Sequence, residues 1–391
     1  MVSGSEVGVF ARDRSTMLSY SALGAYTFWL YAFGPALALM RDELRFSYTM
    51  TSTYSAVWAV GSVVAGAGFA TMAARVGRRS LLWWSALTAT GGAAVFTVTH
   101  TITATLAGAT VLGFAGTTLQ TTTQSILSDH HGPRRDQALV EANIGAAVCA
   151  VVAPLAVGLL HATPLTWRAG MALPALALAA LYLFYRYQPF PAPPGQPPVA
   201  RHGYRLSPAC WLLCLLVAVG IGAEFCVVYF GPELLTATTG LRTPAAATAM
   251  TVFYAGILAG RLGGGRLARR PGRTGVLMWG SLAVTLAGLL ALWLSGATAA
   301  ALTGLFTTGL GIANLFPLSL ALALAAAPGH TDTANARAQL LGGSLVIAAP
   351  FLLGVLADQV GLFAAFGVVP VLIALSGALL YAGLHSQRTR G

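Results

Sequence analysis

The sequence predicts an all-α membrane protein, with twelve transmembrane helices in two pseudo-symmetric six-helix bundles and both termini on the cytoplasmic side. Three observations lead there. Apolar residues make up 56% of the 391 and charged residues only 8%, against roughly 25% charged in a soluble domain. Long charge-free runs recur along the chain, each near the roughly 20 apolar residues that a helix needs to cross a bilayer. The second half also repeats features of the first at a nearly constant offset, which is the mark of duplication.

The first half offers charge-free runs at 17–40, 46–74, 142–167 and 169–185, each read as one span. The run 80–128 is too long for one. It is read as two spans joined by a tight turn at His100 and Thr101, because lipid tolerates only backbone whose polar groups are satisfied internally. In the second half the runs are 208–232, interrupted by Glu224, then 243–260, 338–357 and 359–387. The run 274–331 again needs two spans, with Ser295 and Gly296 at the turn. Counted in chain order, these are spans 1 to 12.

Charge sets the orientation. All 22 basic residues are Arg, and short Arg-rich loops stay cytoplasmic. With both termini inside, only Arg41, Arg45, Arg168 and Arg242 fall outside. The net charge of +11 is therefore a topology signal dispersed over many short loops, and a nucleic-acid surface is not expected. The chain divides into a first bundle at 1–188, a Pro-rich cytoplasmic linker at 189–207 and a second bundle at 208–391. Closely spaced prolines in the linker forbid a continuous helix. Residues 1–16 lack the apolar core of a cleaved signal, so the first span serves as its own insertion signal. Cys149, Cys210, Cys214 and Cys226 all lie inside apolar runs and read as small buried hydrophobes, not as metal ligands or a disulfide.

The duplication rests on three matches in order. Phe33-Gly34-Pro35 answers Phe230-Gly231-Pro232 at an offset of 197, Ala153-Pro154 with Gly158 answers Ala349-Pro350 with Gly354 at 196, and Arg75 to Arg78 answers Arg270 to Arg273 at 195. Both copies of each match fall at the same end of equivalent helices, so the repeats run parallel about an axis along the membrane normal.

These residues resemble the major facilitator superfamily over essentially the whole chain. That family carries a Gly-x-Leu-Ala-Asp-Arg-x-Gly-Arg-Arg signature between helices 2 and 3, often echoed between helices 8 and 9. Here the first loop runs from Ala70 through Arg75, Gly77, Arg78 and Arg79, and the second runs from Gly265 through Arg269, Arg270, Gly272 and Arg273. The resemblance implies that these are gating loops. Ala74 and Arg269 stand where the family has its Asp, so the gate's usual acid is missing twice. The segment 108–113 has no Arg of the kind linked to proton coupling, and 153–158 keeps only Pro154 and Gly158 of the exporters' Gly-rich run.

Chemistry can sit in few places. Glu224 is the only acid well inside an apolar run, roughly 6 Å beyond the middle of span 7 at 1.5 Å per residue. An ionised carboxylate in hydrocarbon is costly, so it is expected to face a water-filled cavity and to trade protons. Gly220, one turn away, leaves room beside it. The alternative is a carboxyl that staples span 7 to a neighbour. Tyr26, Trp29, Trp58 and Tyr254 lie near mid-depth and either line a cavity or pack. Tyr20, Tyr31, Tyr54 and Tyr229 lie nearer span ends, where such residues anchor at the interface. Thr117, Gln120, Thr121 and Gln124 form a polar stripe on span 4, suited equally to substrate or to helix-to-helix hydrogen bonds. Asn314, three residues before Pro317, sits where a Pro can break span 10 beside a binding site. His130 and His131 read as a solvated loop rather than a metal site.

The chain has no Lys, so a phosphate-binding loop of the ATPase type is excluded. The expectation is a non-enzymatic secondary transporter in a bacterial cytoplasmic membrane, working by alternating access with Glu224 coupling protons. Its partners would be a small-molecule substrate, the proton and membrane lipid. It would act as a monomer, without cofactor, metal or nucleic acid. A uniporter or lipid or drug carrier of the same fold is the first rival, and a membrane sensor or scaffold that has lost transport is the second.

Overall fold

The computed structural model describes residues 12–188, 206–267, 274–328 and 330–388. Among them every regular element is helical. The first half holds α1 (Arg14–Leu44), α2 (Tyr48–Val76), α3 (Arg78–Val98), α4 (Ile102–His131), α5 (Arg135–His161) and α6 (Thr166–Tyr185). The second holds α7 (Pro208–Thr239), α8 (Thr243–Leu267), α9 (Thr274–Leu294), α10 (Thr298–Ile312) and α11 (Leu315–Ala325). It ends with α12 (Thr331–Val360), the short α13 (Leu362–Ala365) and α14 (Val368–Arg388). Eleven stretches are long and apolar enough to cross a bilayer, and α2, at 29 residues with no charge before Arg75, is the twelfth. Helices α10 and α11 share the tenth crossing, and α13 leads into the twelfth.

Two boundaries differ from the sequence reading. The fifth span ends at His161 and Trp167 belongs to α6. The turn between them carries Pro164, which cannot continue a helix, but it has no charge to mark it. The seventh span does not stop at Pro232. It runs on to Thr239 and ends at Gly240, whose φ of 71° suits a helix-terminating glycine. This places Glu224 at the middle of α7 rather than beyond it.

The duplication is written into the helix crossings. Gly61 of α2 meets the Thr110 carbonyl of α4, and Gly256 of α8 meets the Phe306 carbonyl of α10. Gly113 lies against the Trp58 carbonyl, and Gly309 lies against that of Phe253. Both glycines of the first half recur 195 or 196 residues later. A Cβ at any of these positions would collide with backbone, so only Gly allows so close an approach, as membrane helix pairs favour.

Within the first bundle α1 packs on α5, and α2 and α3 on α4; within the second α7 packs on α12, and α8 and α9 on α10. The halves meet along α2 with α12, α5 with α8 and α1 with α7. Arg12, Gln188, Ser207 and the end of α14 lie at one end of the bundle, called the linker end. The other is the far end.

Candidate functional site

The bonds that stitch the halves together lie toward the far end. Asp358, near the end of α12, accepts hydrogen bonds from the backbone N–H groups of Tyr48 and Thr49, each at 2.8 Å. It thereby caps α2 from across the seam. Ser52 donates to the Pro350 carbonyl at 2.8 Å, and Gly354 leaves room for the Ser52 hydroxyl. Arg41 of α1 faces the buried Glu233 of α7 at 3.5 Å. The repeated Pro-containing segments that revealed the duplication are therefore seam elements. Gly34 lies against the Val228 carbonyl, and Gly158 against Thr248.

At mid-depth the seam turns aromatic and polar. Tyr31 of α1 and Tyr254 of α8 pack at 4.7 Å between ring centroids. Phe33 stands 4.5 Å from Trp58 and 6.2 Å from Tyr229, and Phe225 is 5.7 Å from Tyr229. Glu224 sits half-buried beside this cluster. Arg261 of α8 lies within electrostatic reach of both Glu224 and the Tyr31 hydroxyl. The site thus holds one carboxylate, one guanidinium and several aromatic faces where the two bundles meet.

The predicted residues divide between the site and the packing around it. Tyr26 is buried, its hydroxyl 3.4 Å from Thr117, which in turn donates to Ser62 at 2.8 Å. That part of the α4 stripe joins helices, and Thr121 bonds back to its own turn. Gln120 and Gln124 differ: both are half-exposed and their amides have no partner among the described residues, so they can serve water or solute. Tyr254 is buried with an unpartnered hydroxyl. Trp58 packs on Phe33. Asn314 stands at the break between α10 and α11, donating to the Gly260 carbonyl at 3.2 Å. Pro317 supplies no N–H to the turn before it, which explains the break.

Several expectations are corrected. Trp29 does not line a cavity: it is fully buried and its indole donates to the Met171 carbonyl of α6 at 2.7 Å. By contrast, a Cβ at Gly220 would make only ordinary contact with Leu315 at 3.7 Å, so space remains beside it. His130 and His131 are not a solvated loop but the last turn of α4. His130 pairs with Asp13 at 2.7 Å and His131 hydrogen-bonds Thr16 at 2.8 Å, tying α4 to the start of α1. Tyr31 and Tyr229 are seam residues rather than anchors: Tyr31 packs on Tyr254 and Tyr229 on Phe33, and α7 extends well past its charge-free run.

Of the residues expected to form gating loops, Gly77 makes the α2–α3 turn at a φ of 75° and Arg75 is exposed. Arg78 pairs with Asp129 at the end of α4 and donates to the Ser125 carbonyl at 3.2 Å. Asp129 thus gives the first loop an acidic partner from a different helix than the missing motif acid. Arg79 donates to the Arg186 carbonyl. Gly265 falls in the last turn of α8, and Arg269, Arg270, Gly272 and Arg273 lie outside the described residues. Arg261 went unnoticed in the sequence because it directly follows a charge-free run and counts there as a loop residue.

Twelve crossings in two pseudo-symmetric bundles, with a polar and aromatic cluster between them, define a membrane transport fold. The sequence profile of the Major Facilitator Superfamily matches residues 18–346, and the chain belongs to that superfamily. An uncharacterized MFS-type transporter of Yersinia pestis is 27% identical over 168 residues, 42% of this chain and 44% of that protein. The match thus spans less than half of that relative's length. Among solved structures, the nucleoside transporter NupG has a TM-score of 0.72 at 16% identity, over 95% of this chain and 98% of that one. A bacterial homolog of the human lysosomal transporter Spinster, inward-facing and unoccupied, has a TM-score of 0.71 at 14% identity, over 95% and 96%. At these identities the likeness shows the fold.

Proposed function

We propose that this integral membrane protein is a proton-coupled secondary transporter for a small polar solute that carries a planar ring, working by alternating access in a bacterial cytoplasmic membrane. The observation that carries the reading is Glu224 at mid-helix, half-buried, where the bundles meet. A carboxylate at that depth is costly unless water, a proton or a solute meets it. Tyr31, partly exposed beside Glu224, offers a face for a ring, while Gln120 and Gln124 offer amides that nothing else in the described protein uses. With the far-end seam stitched and these amides accessible, the present state corresponds to an inward-facing one, the linker end being cytoplasmic.

The test has two stages. A thermal-shift screen of the purified protein against nucleosides, sugars, amino acids, organic acids and cationic drugs identifies the ligand, since binding to the folded state raises apparent stability. Proteoliposomes with a pH gradient then compare the wild type with Glu224→Gln, which keeps shape but holds the group neutral. Uphill accumulation is expected to vanish while solute exchange persists, because exchange does not require the deprotonated carrier to return. Undiminished accumulation by the variant sinks the coupling role.

One observation favours a second reading. Arg261 lies within reach of Glu224, and an ion pair there would make the carboxylate a structural partner in a uniporter. In that case neither protein accumulates solute in response to the gradient.

A further inference from the structure

On the outer surface of the first bundle, α3 and α6 leave between them a cavity of 620 Å³. Its walls are laid down in rungs. Arg79 of α3 and Arg186, which follows the last residue of α6, form the first, at the linker end. One turn deeper, at i+4 on α3 and i−4 on α6, stand Trp83 and Tyr182, with ring centroids 5.1 Å apart. Beyond them the wall becomes apolar and small-sided, with Leu87, Ala175 and Leu178 among its residues, and it ends near Thr90. The surroundings face lipid: Trp84 is 64% exposed and Phe184 is 81% exposed.

Two features fit one occupant. No carboxylate lines the cavity, and neither guanidinium has an ion-pair partner among the described residues. Arg79 donates to the Arg186 carbonyl and Arg186 stacks over Tyr187 at 4.8 Å, so no described residue compensates either positive charge. From Arg79 to Thr90 the groove extends about 16 Å at 1.5 Å per residue, close to the ~15 Å of one leaflet's hydrocarbon.

We infer that the α3–α6 groove is a binding site for one anionic phospholipid of the leaflet at the linker end, its phosphate on Arg79 and Arg186 and an acyl chain in the apolar channel below Trp83 and Tyr182. Basic residues at an anionic membrane surface each contribute enough for roughly a fivefold preference, so two give about 25-fold over a zwitterionic lipid. The site lies on the opposite face of the bundle from the seam and does not depend on the proposed substrate.

The full chain is reconstituted in phosphatidylcholine vesicles that contain graded amounts of tail-brominated phosphatidylglycerol or tail-brominated phosphatidylcholine. Quenching that depends on Trp84 is read as the difference between the wild type and Trp84→Phe. The expected result is half-saturation at an about 25-fold lower fraction of phosphatidylglycerol, with the preference reduced about fivefold by Arg79→Gln or Arg186→Gln alone and abolished by both. Arg79→Lys with Arg186→Lys restores it. Equal quenching by the two lipids overturns the inference, as does a preference that survives both Gln substitutions. Absence of Trp84-dependent quenching by either lipid also overturns it, since a second copy of the chain would then cover the groove.

Discussion

Arg41 Nη1 lies 3.5 Å from Oε1 of Glu233, joining the first bundle to the second at the far end of the seam. Glu233 is only 6% exposed, neither of its oxygens has a hydrogen-bond partner among the described residues, and Asp42 and Asp358 are close enough to repel it. Arg41 also donates to the Phe46 carbonyl at 3.1 Å and covers the Tyr48 ring at 3.7 Å.

The two ends of this pair therefore differ in their expected response. Arg41→Gln strands a buried charge and loses two further contacts. It is expected to cost about 2–3 kcal/mol, less than a fully buried pair because Arg41 is partly exposed. Glu233→Gln removes a charge already crowded by two acids and should change stability by under about 1 kcal/mol. Thermal unfolding of both variants in detergent checks the asymmetry, and equal losses would contradict it.

The repeated glycines yield a prediction with opposite signs. Gly113→Ala and Gly309→Ala press a methyl onto the backbone of Trp58 and Phe253, so each should destabilise by about 1–3 kcal/mol, the range for overpacked sites. Gly66 lies in α2, and nothing stands within 4 Å of the place a methyl group would take there. At that position Ala is the better helix former by about 1 kcal/mol, and Gly66→Ala should be neutral or stabilising. Melting temperatures of the three variants side by side decide it.

Much of this architecture was legible in the primary structure, and the reasons for what was not are physical. Charge-free runs located twelve crossings because lipid excludes charge, and the repeat was visible because seam segments such as Phe33-Gly34-Pro35 and Phe230-Gly231-Pro232 need the same small and kinking residues. Charge-free length is a poor ruler where helices continue past the hydrocarbon. Helix α7 runs seven residues past Pro232, and that extension hid the central place of Glu224 and the seam role of Tyr229. Trp29 was ambiguous because one aromatic at mid-depth reads alike whether it faces a cavity or the Met171 carbonyl. Only the packing separates Gln120 and Gln124 from their stripe neighbour Thr117.

A pH dependence follows from the start of α1. Burial alone would lift the Asp13 carboxyl, but hydrogen bonds from the Thr16 hydroxyl and backbone N–H, together with His130, outweigh it and hold it below its ordinary value of 3.8. A carboxyl lowered on folding stabilises the fold above its unfolded value, and that stability is lost as pH falls through the folded one. Asp13→Asn should therefore lower the melting temperature at pH 7, and the difference from wild type should shrink as pH drops below about 4. A difference that persists unchanged at pH 3 would show that the tie to α4 does not depend on this charge.

The last prediction concerns Arg261 and Glu224. If the guanidinium compensates the mid-membrane carboxylate, Arg261→Gln alone leaves Glu224 unpaired beside the aromatic cluster, while also removing the positive charge near Tyr31. Adding Glu224→Gln then removes the stranded charge, so the double variant should be more stable than Arg261→Gln alone. Residues that share a network typically show an interaction energy of about 0.5–3 kcal/mol in such a cycle. Thermal unfolding of the wild type, both single variants and the double variant supplies the four corners. Strict additivity would mean that Arg261 serves Tyr31 alone, leaving Glu224 to be compensated by water, a proton or the solute itself.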